Sequence, residues 1–336
     1  MNKIDFVIAW VDGSDKEWLK EKAQYNPEFN ADDAAHRFRD WSLLRYWFRG
    51  VEEFAPWVNK IHFITWGHTP DWLNADHPKL NIVNHTDYIP KEYTPTFNSH
   101  TIELNMHRIP ELEDNFVYFN DDMFLISAVK EKDFFVNSIP MDSAVLSVHC
   151  NQRNIIESHI PISIVGVINE HFDMKSVIKC DLKKWFNLKY GIKLLLRTIC
   201  LLPSPRFPGF WQHHLPTSFN KSSFDLVWNE VPDIMDDTCM HRFRTANDVS
   251  QWLIREWQIC LGKFEPRKSS FGKSFHIDRK GIKVLPEISH YIGKQKGKIV
   301  VINDGEMNQE EFEAAKVIIS KSFNAILPKK SEFEKW

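Results

Sequence analysis

The sequence has no excess of charge of either sign. Its 42 Lys and Arg against 45 Asp and Glu leave a formal net charge of −3, without the broad positive field expected of a nucleic-acid binder. It has no uncharged apolar run of the ~18 residues that span a bilayer, because Lys193 and Arg197 interrupt the best candidate. The apolar run from Phe6 to Val11 is short and flanked by Asp5 and Asp12, unlike a secretory signal. Cysteine is scarce and scattered: Cys150, Cys180, Cys200, Cys239 and Cys260 form neither a CxxC redox pair nor a local zinc knuckle. No internal repeat, low-complexity linker or charged tail stands out. A globular chain in a reducing, cytoplasmic setting is the expectation, able to lie on a membrane surface but not to cross one.

Against these absences stands an abundance of rings, with 25 Phe, 13 Trp and 7 Tyr, which suit cores, sugar stacking and membrane interfaces alike. A length of 336 residues fits two domains or one large α/β domain. One catalytic domain over 1–336 is expected. Short Val, Ile and Phe runs read as buried strands at Asp5 to Val11, Lys60 to Thr65, Leu80 to Val83, Asn115 to Phe119 and Lys298 to Ile302. Helical patterns at Asp40 to Phe54 and Gln309 to Ile326 alternate with them. The expected fold is α/β, a Rossmann-like, mostly parallel sheet flanked by helices.

In such sheets ligands bind beyond the carboxyl ends of the strands, so the polar residues that stop each run are the candidates. After the first strand come Trp10, Asp12, Gly13 and Asp15; Ser14 or Asp15 can also cap the helix beginning near Lys16. Asn120, Asp121 and Asp122 follow the fourth strand. Adjacent carboxylates there suit a hard cation such as Mg²⁺ or Mn²⁺ holding a diphosphate, although paired acids are also ordinary turn residues. Asn303 and Asp304 have the same shape, with an Asx-Gly turn as the plainer reading.

His213, His214, Leu215 and Pro216 place an imidazole where it can accept a hydroxyl proton. Arg242 and Arg244, two residues apart, can turn two guanidiniums toward phosphate. Asn98, Ser99 and His100, with Glu103 behind them, form a polar helix start of the kind that attracts anions.

Four blocks in order resemble the Stealth family of sugar-1-phosphate transferases, which includes bacterial capsule polymerases and the animal GlcNAc-1-phosphotransferase of lysosomal enzymes. The first runs from Ile4 to Asp15. The second runs from Arg37-Phe38-Arg39-Asp40-Trp41 through Pro95-Thr96-Phe97-Asn98-Ser99-His100 to Asn120-Asp121-Asp122. The third spans His213 to Lys263, and the fourth joins Ile302-Asn303-Asp304 to Ser331-Glu332-Phe333-Glu334. The resemblance implies a Rossmann-like enzyme that takes a UDP-sugar, breaks the bond between its phosphates and passes the sugar-1-phosphate to a glycan hydroxyl, releasing UMP. Asp15, His214, Arg244 and Asp304 are then catalytic. His214 is the base, Arg244 the phosphate clamp, and Asp15 the residue that orients the base or holds the acceptor. Trp10, Asp12, Arg39, Asn98, Ser99, His100, Arg242 and Asn303 line the substrate site. Asp121 and Asp122 hold Mg²⁺, or Mn²⁺, with Asp304 a further candidate. The partners implied are a UDP-sugar donor and a glycan acceptor on a polyprenyl carrier. A metal-dependent glycosyltransferase releasing UDP and a non-catalytic glycan-binding module are the rival readings.

The stretch from about Val129 to Gln212 matches little of the family pattern, and within it the composition shifts over 175–211. Lys183, Lys184, Lys189, Lys193 and Arg197 alternate there with Trp185, Phe186, Leu194 and Leu201, and Pro203, Pro205 and Pro208 follow. It reads as an inserted amphipathic helical segment facing the cytoplasmic leaflet, or else as a core helix with snorkelling lysines.

Overall fold

The computed structural model describes residues 3–26, 40–277, 283–305 and 307–335. Among these residues the strands are β1 (Ile4–Ala9), β2 (Ile61–Thr65), β3 (Leu80–Asn84), β4 (Asn115–Asn120), β5 (Met123–Leu125), β6 (Phe135–Val136), β7 (Ile139–Asp142), β8 (Thr217–Asn220), β9 (Glu265–Pro266), β10 (Gly272–Ile277) and β11 (Ile299–Asp304). The main sheet has the order β3-β2-β1-β4-β8. Its first four strands are parallel and β8 runs antiparallel to β4. The expected parallel sheet is therefore present, closed at one edge by a reversed strand.

Both faces of this sheet are covered, so its strands read as continuous apolar runs instead of alternating ones. Phe6, Ile8, Val117 and Phe119 point into one core, where Trp47 and Phe48 of the Leu44–Phe54 helix and Phe323 of the Gln309–Ile326 helix meet them. Val7, Phe116 and Tyr118, one residue out of phase, point into the other, against Phe224, Leu253 and Trp257. Gly50 lets the Leu44–Phe54 helix approach β5, since a Cβ there would stand 3.0 Å from the Leu125 carbonyl oxygen. The end of the fourth block is a brace for the same helix: Arg49 donates to both carboxylate oxygens of buried Glu334, at 2.7 and 2.9 Å.

Two corrections concern topology. The Asn303–Asp304 strand is not part of the main sheet; β11 lies in a three-stranded sheet of order β10-β11-β5, parallel to β10 and antiparallel to β5. It still ends at the same rim, because the Ile302 N–H donates to the Asp122 carbonyl at 3.0 Å. The segment 175–211 is not one amphipathic helix. It breaks into Met174–Cys180, Leu182–Trp185, a 3₁₀ turn Leu188–Tyr190 and Ile192–Leu201, with Gly191 at φ +78° turning the chain into the last of these. Trp185 is fully buried and offers no depth to a membrane. Lys184 and Lys189 are tied to the carbonyls of Gly262 and Pro266.

Candidate active site

The register of β4 sets the site. Ala9 pairs with Asn120, so the Trp10–Asp15 turn and the Asp121–Asp122 turn leave the sheet side by side. Tyr118 pairs with Thr217 on antiparallel β8, which brings His214, three residues before β8, back to the same end. With β11 delivered beside Asp122, the four sequence blocks converge on one rim.

At the centre, His214 Nε2 lies 3.0 Å from Asp122 Oδ2. Burial works against the charged imidazole, but the hydrogen bond and charge of Asp122, then Glu103 and a hydrogen bond with Asn303, outweigh it and raise the His214 pKa above its usual value. The His214 backbone is at φ +45°, a left-handed conformation that costs a non-glycine residue on the order of 1 kcal/mol or more and clusters at functional sites.

Its neighbours enforce that strained turn. Buried His213 accepts the Leu215 N–H on Nδ1 at 3.2 Å, bridging across His214, while its Nε2 lies 3.2 Å from Asp142 Oδ1. Arg255, fully buried, donates to both Asp142 oxygens at 2.8 and 2.7 Å. Burial alone would raise the Asp142 pKa, but the Arg255 charge and the His213 and Arg255 hydrogen bonds hold it far below the carboxylate range. His213 falls to about 4 through burial and the Arg255 charge, so it is neutral and acts as a brace. Gln212 donates to Glu256 at 3.2 Å, and burial pushes Glu256 up to about 8.

Asp121 is reached by solvent yet hemmed in by protein. That partial loss of water, together with the charge of Asp122, pushes its pKa up to about 7. Asp122 Oδ1 is buried with no hydrogen-bond partner, a poor place for a carboxylate oxygen unless a cation meets it. Among the described residues no group of three or more His, Cys, Asp and Glu is arranged to hold a metal ion alone. One or two carboxylates completed by phosphate oxygens and water are nonetheless an ordinary Mg²⁺ set, which Asp121 and Asp122 fit.

Arg244 donates to Ser99 Oγ at 2.6 Å and lies 3.7 Å from Glu157. Asp248 ties together the residues that flank this contact: its oxygens accept from Asn98 Nδ2 at 2.9 Å and Thr245 Oγ1 at 2.6 Å, and lie 2.8 Å from His241 Nδ1 and 3.5 Å from His100 Nδ1. Burial opposes the Asp248 charge, but these bonds lower its pKa to about 2. Two expectations change. Asn98 is fully buried, caps the Ser99–Leu104 helix and spends its amide on Asp248 and the His241 carbonyl, which is the bonding of a brace. Arg242 does not pair with Arg244: its guanidinium sits 4.8 Å over the Tyr25 ring, while Phe243 stacks on Phe97.

Asp15 caps the Lys16–Tyr25 helix, accepting the Trp18 N–H at 2.8 Å, and its other oxygen is 3.7 Å from His68 Nδ1. The His68 Nε2 accepts the Asp12 N–H at 2.7 Å. Asp12 Oδ1 accepts from Ser14, and Trp10 packs edge-to-face on His68. Asp15 therefore does not orient His214; Asp122 does. Asn303 Nδ2 donates to Ser274 at 2.8 Å, and both Asp304 carboxylate oxygens are shielded from solvent. Arg39 lies outside the described residues.

The comparisons with known proteins bear on this cleft. Residues 2–29 match the model for Stealth protein CR1, conserved region 1, and residues 37–142 that for Stealth protein CR2, conserved region 2. A capsular polysaccharide phosphotransferase, WcwK, of Streptococcus pneumoniae is 41% identical over 338 residues, covering 100% of this chain and 99% of its own. The chain belongs to the Stealth family. An exopolysaccharide phosphotransferase, cps2G, of Lactiplantibacillus plantarum is 39% identical, with 99% of this Stealth chain and 96% of its own covered. The receptor polysaccharide phosphotransferase WefC of Streptococcus gordonii is 38% identical over 99% of both. Among solved structures, the galactosyltransferase LgtC in complex with donor and acceptor sugar analogs is 9% identical at a TM-score of 0.42, over 98% of both chains, a likeness too distant to bear on mechanism.

Proposed function

We propose that this Stealth protein transfers a sugar-1-phosphate from a UDP-sugar to a hydroxyl of a glycan acceptor in bacterial capsular or surface polysaccharide synthesis. The observation that carries the reading is the Asp122–His214 pair, at the strand ends where the Trp10–Asp15 turn, the Asp121–Asp122 turn and β11 come together. The acceptor oxygen attacks the phosphorus that bears the sugar. The bond from that phosphorus to the oxygen bridging to the second phosphate breaks, UMP leaves with the bridging oxygen, and a phosphodiester remains. His214 takes the hydroxyl proton while Asp122 fixes its tautomer and stabilises the charge it gains. Arg244, held by Ser99, balances negative charge on the transferred phosphoryl group. Asp15, with His68, and Asp304, with Asn303, border the same cleft and serve the substrates.

Asp121 and Asp122 are the residues that would hold Mg²⁺ or Mn²⁺, which when bound neutralises diphosphate charge. The acceptor is a glycan on a polyprenyl carrier, so the protein works in the cytoplasm at the inner face of the membrane. No helix among the described residues is long and apolar enough to cross it. Phosphorus NMR of the isolated product tests the linkage. A phosphodiester signal that survives phosphatase is expected, and a product without phosphorus would contradict it.

A further inference from the structure

Burial normally hides large aliphatic side chains, yet one face of this protein does not. Leu188 is 84% exposed, Ile192 75%, Leu196 54% and Ile199 48%. The last three lie four and three residues apart on the Ile192–Leu201 helix and form a single stripe, while buried Thr198 faces the protein. The stretch that carries the stripe is basic, with Asp181 just before it and Glu265 at 3.5 Å from Lys184 as acidic neighbours. From Leu182 to Arg206 the sequence carries six Lys and Arg and no Asp or Glu, in a chain whose net charge is −3. Lys183 and Lys193 are exposed.

We propose that this face docks the protein on an anionic lipid bilayer, with the aliphatic stripe entering the headgroup boundary and the lysines meeting the lipid charge. This rests on the reading of the acceptor as lipid-linked and names the surface that would meet it. Charge complementarity selects the occupant. An exposed apolar stripe bordered by basic residues is the pattern of an interfacial helix, whereas a second copy of the chain packed face to face would bring two predominantly basic surfaces together. The helix is anchored to the body of the protein through its buried side. The Leu146 N–H donates to Thr198 Oγ1 on the docking helix at 3.2 Å, and the same stretch of chain runs on to Glu157, 3.7 Å from Arg244.

Flotation of the full chain with vesicles tests this without donor or acceptor. At low salt the protein should float with vesicles of equal parts phosphatidylglycerol and phosphatidylcholine, stay behind with phosphatidylcholine alone, and lose binding as salt rises. Lys193→Glu should weaken vesicle partition about 25-fold, two steps of roughly fivefold per unit charge, and Ile192→Glu about tenfold or more. Both variants should keep wild-type UMP release with a soluble acceptor, which shows that they fold. Failure to float, or flotation that both variants leave unchanged, would overturn the proposal. So would a discrete dimer that Ile192→Glu dissolves, which would assign the face to a second copy. A protein that floats through this face yet releases UDP keeps the surface and loses the reaction.

Discussion

Asp122 Oδ2 and His214 Nε2 stand 3.0 Å apart across 92 residues of sequence, joining the turn after β4 to the turn before β8. A carboxylate holding one ring nitrogen fixes the tautomer of the imidazole. The two residues act as a unit, and their substitutions should not add. Asp122→Asn and His214→Ala should each lower single-turnover product formation by about a hundredfold or more, and the double variant should be no worse than the poorer single one. Independent, multiplying losses would mean that the pair does not operate together.

The left-handed backbone at His214 makes a separate prediction about stability. Glycine adopts φ +45° without the Cβ penalty that alanine retains. In urea unfolding, His214→Gly should be more stable than His214→Ala by about 1 kcal/mol, though both are inactive. An alanine variant as stable as the glycine one would remove strain from the account.

How far the sequence could be read depended on whether the signal was local. Strands β5 to β10 were not legible, whereas strands β1 to β4 and β11 and the Gln309–Ile326 helix were, from their apolar patterns. So was the gathering of Asp15, Asp121, Asp122 and Asp304 at strand ends. What was not legible needed contacts between distant residues. Nothing near Arg255 announces that it is buried against Asp142, and nothing near Asn98 says that Asp248 consumes its amide. His68 follows β2 as His85 follows β3, and the same strand-end rule selects it. The segment 175–211 looked amphipathic because composition does not say which apolar side chains turn inward; Trp185 does, and Ile192 does not.

Glu256 makes stability depend on pH. Its folded pKa, about 8, lies above the ordinary 4.5, because burial penalises its charge. Its contribution to stability is complete below pH 4.5 and is lost as pH rises through about 8, where the native state must bury an anion or release it. Unfolding midpoints should therefore decline across that window in the wild type and flatten in Glu256→Gln. An unchanged slope in the variant would show that another group sets it.

Asp15 carries two roles that one pair of variants separates. Asparagine is as good an N-cap as aspartate, so Asp15→Asn should leave stability within about 0.5 kcal/mol of wild type, while Asp15→Ala loses about 1 kcal/mol. If the carboxylate serves the substrates, both variants should lose turnover by about a hundredfold. Full activity in Asp15→Asn would leave the residue as a helix cap.

The nucleotide released tests the central claim most directly. With a UDP-sugar, Mg²⁺ and a glycan acceptor, cleavage between the two phosphates leaves UMP and places the second phosphate in the product, whereas cleavage at the sugar carbon leaves UDP. Chromatography of the nucleotide pool as product accumulates should show UMP rising in step with the phosphodiester. UDP rising in its place would contradict the account.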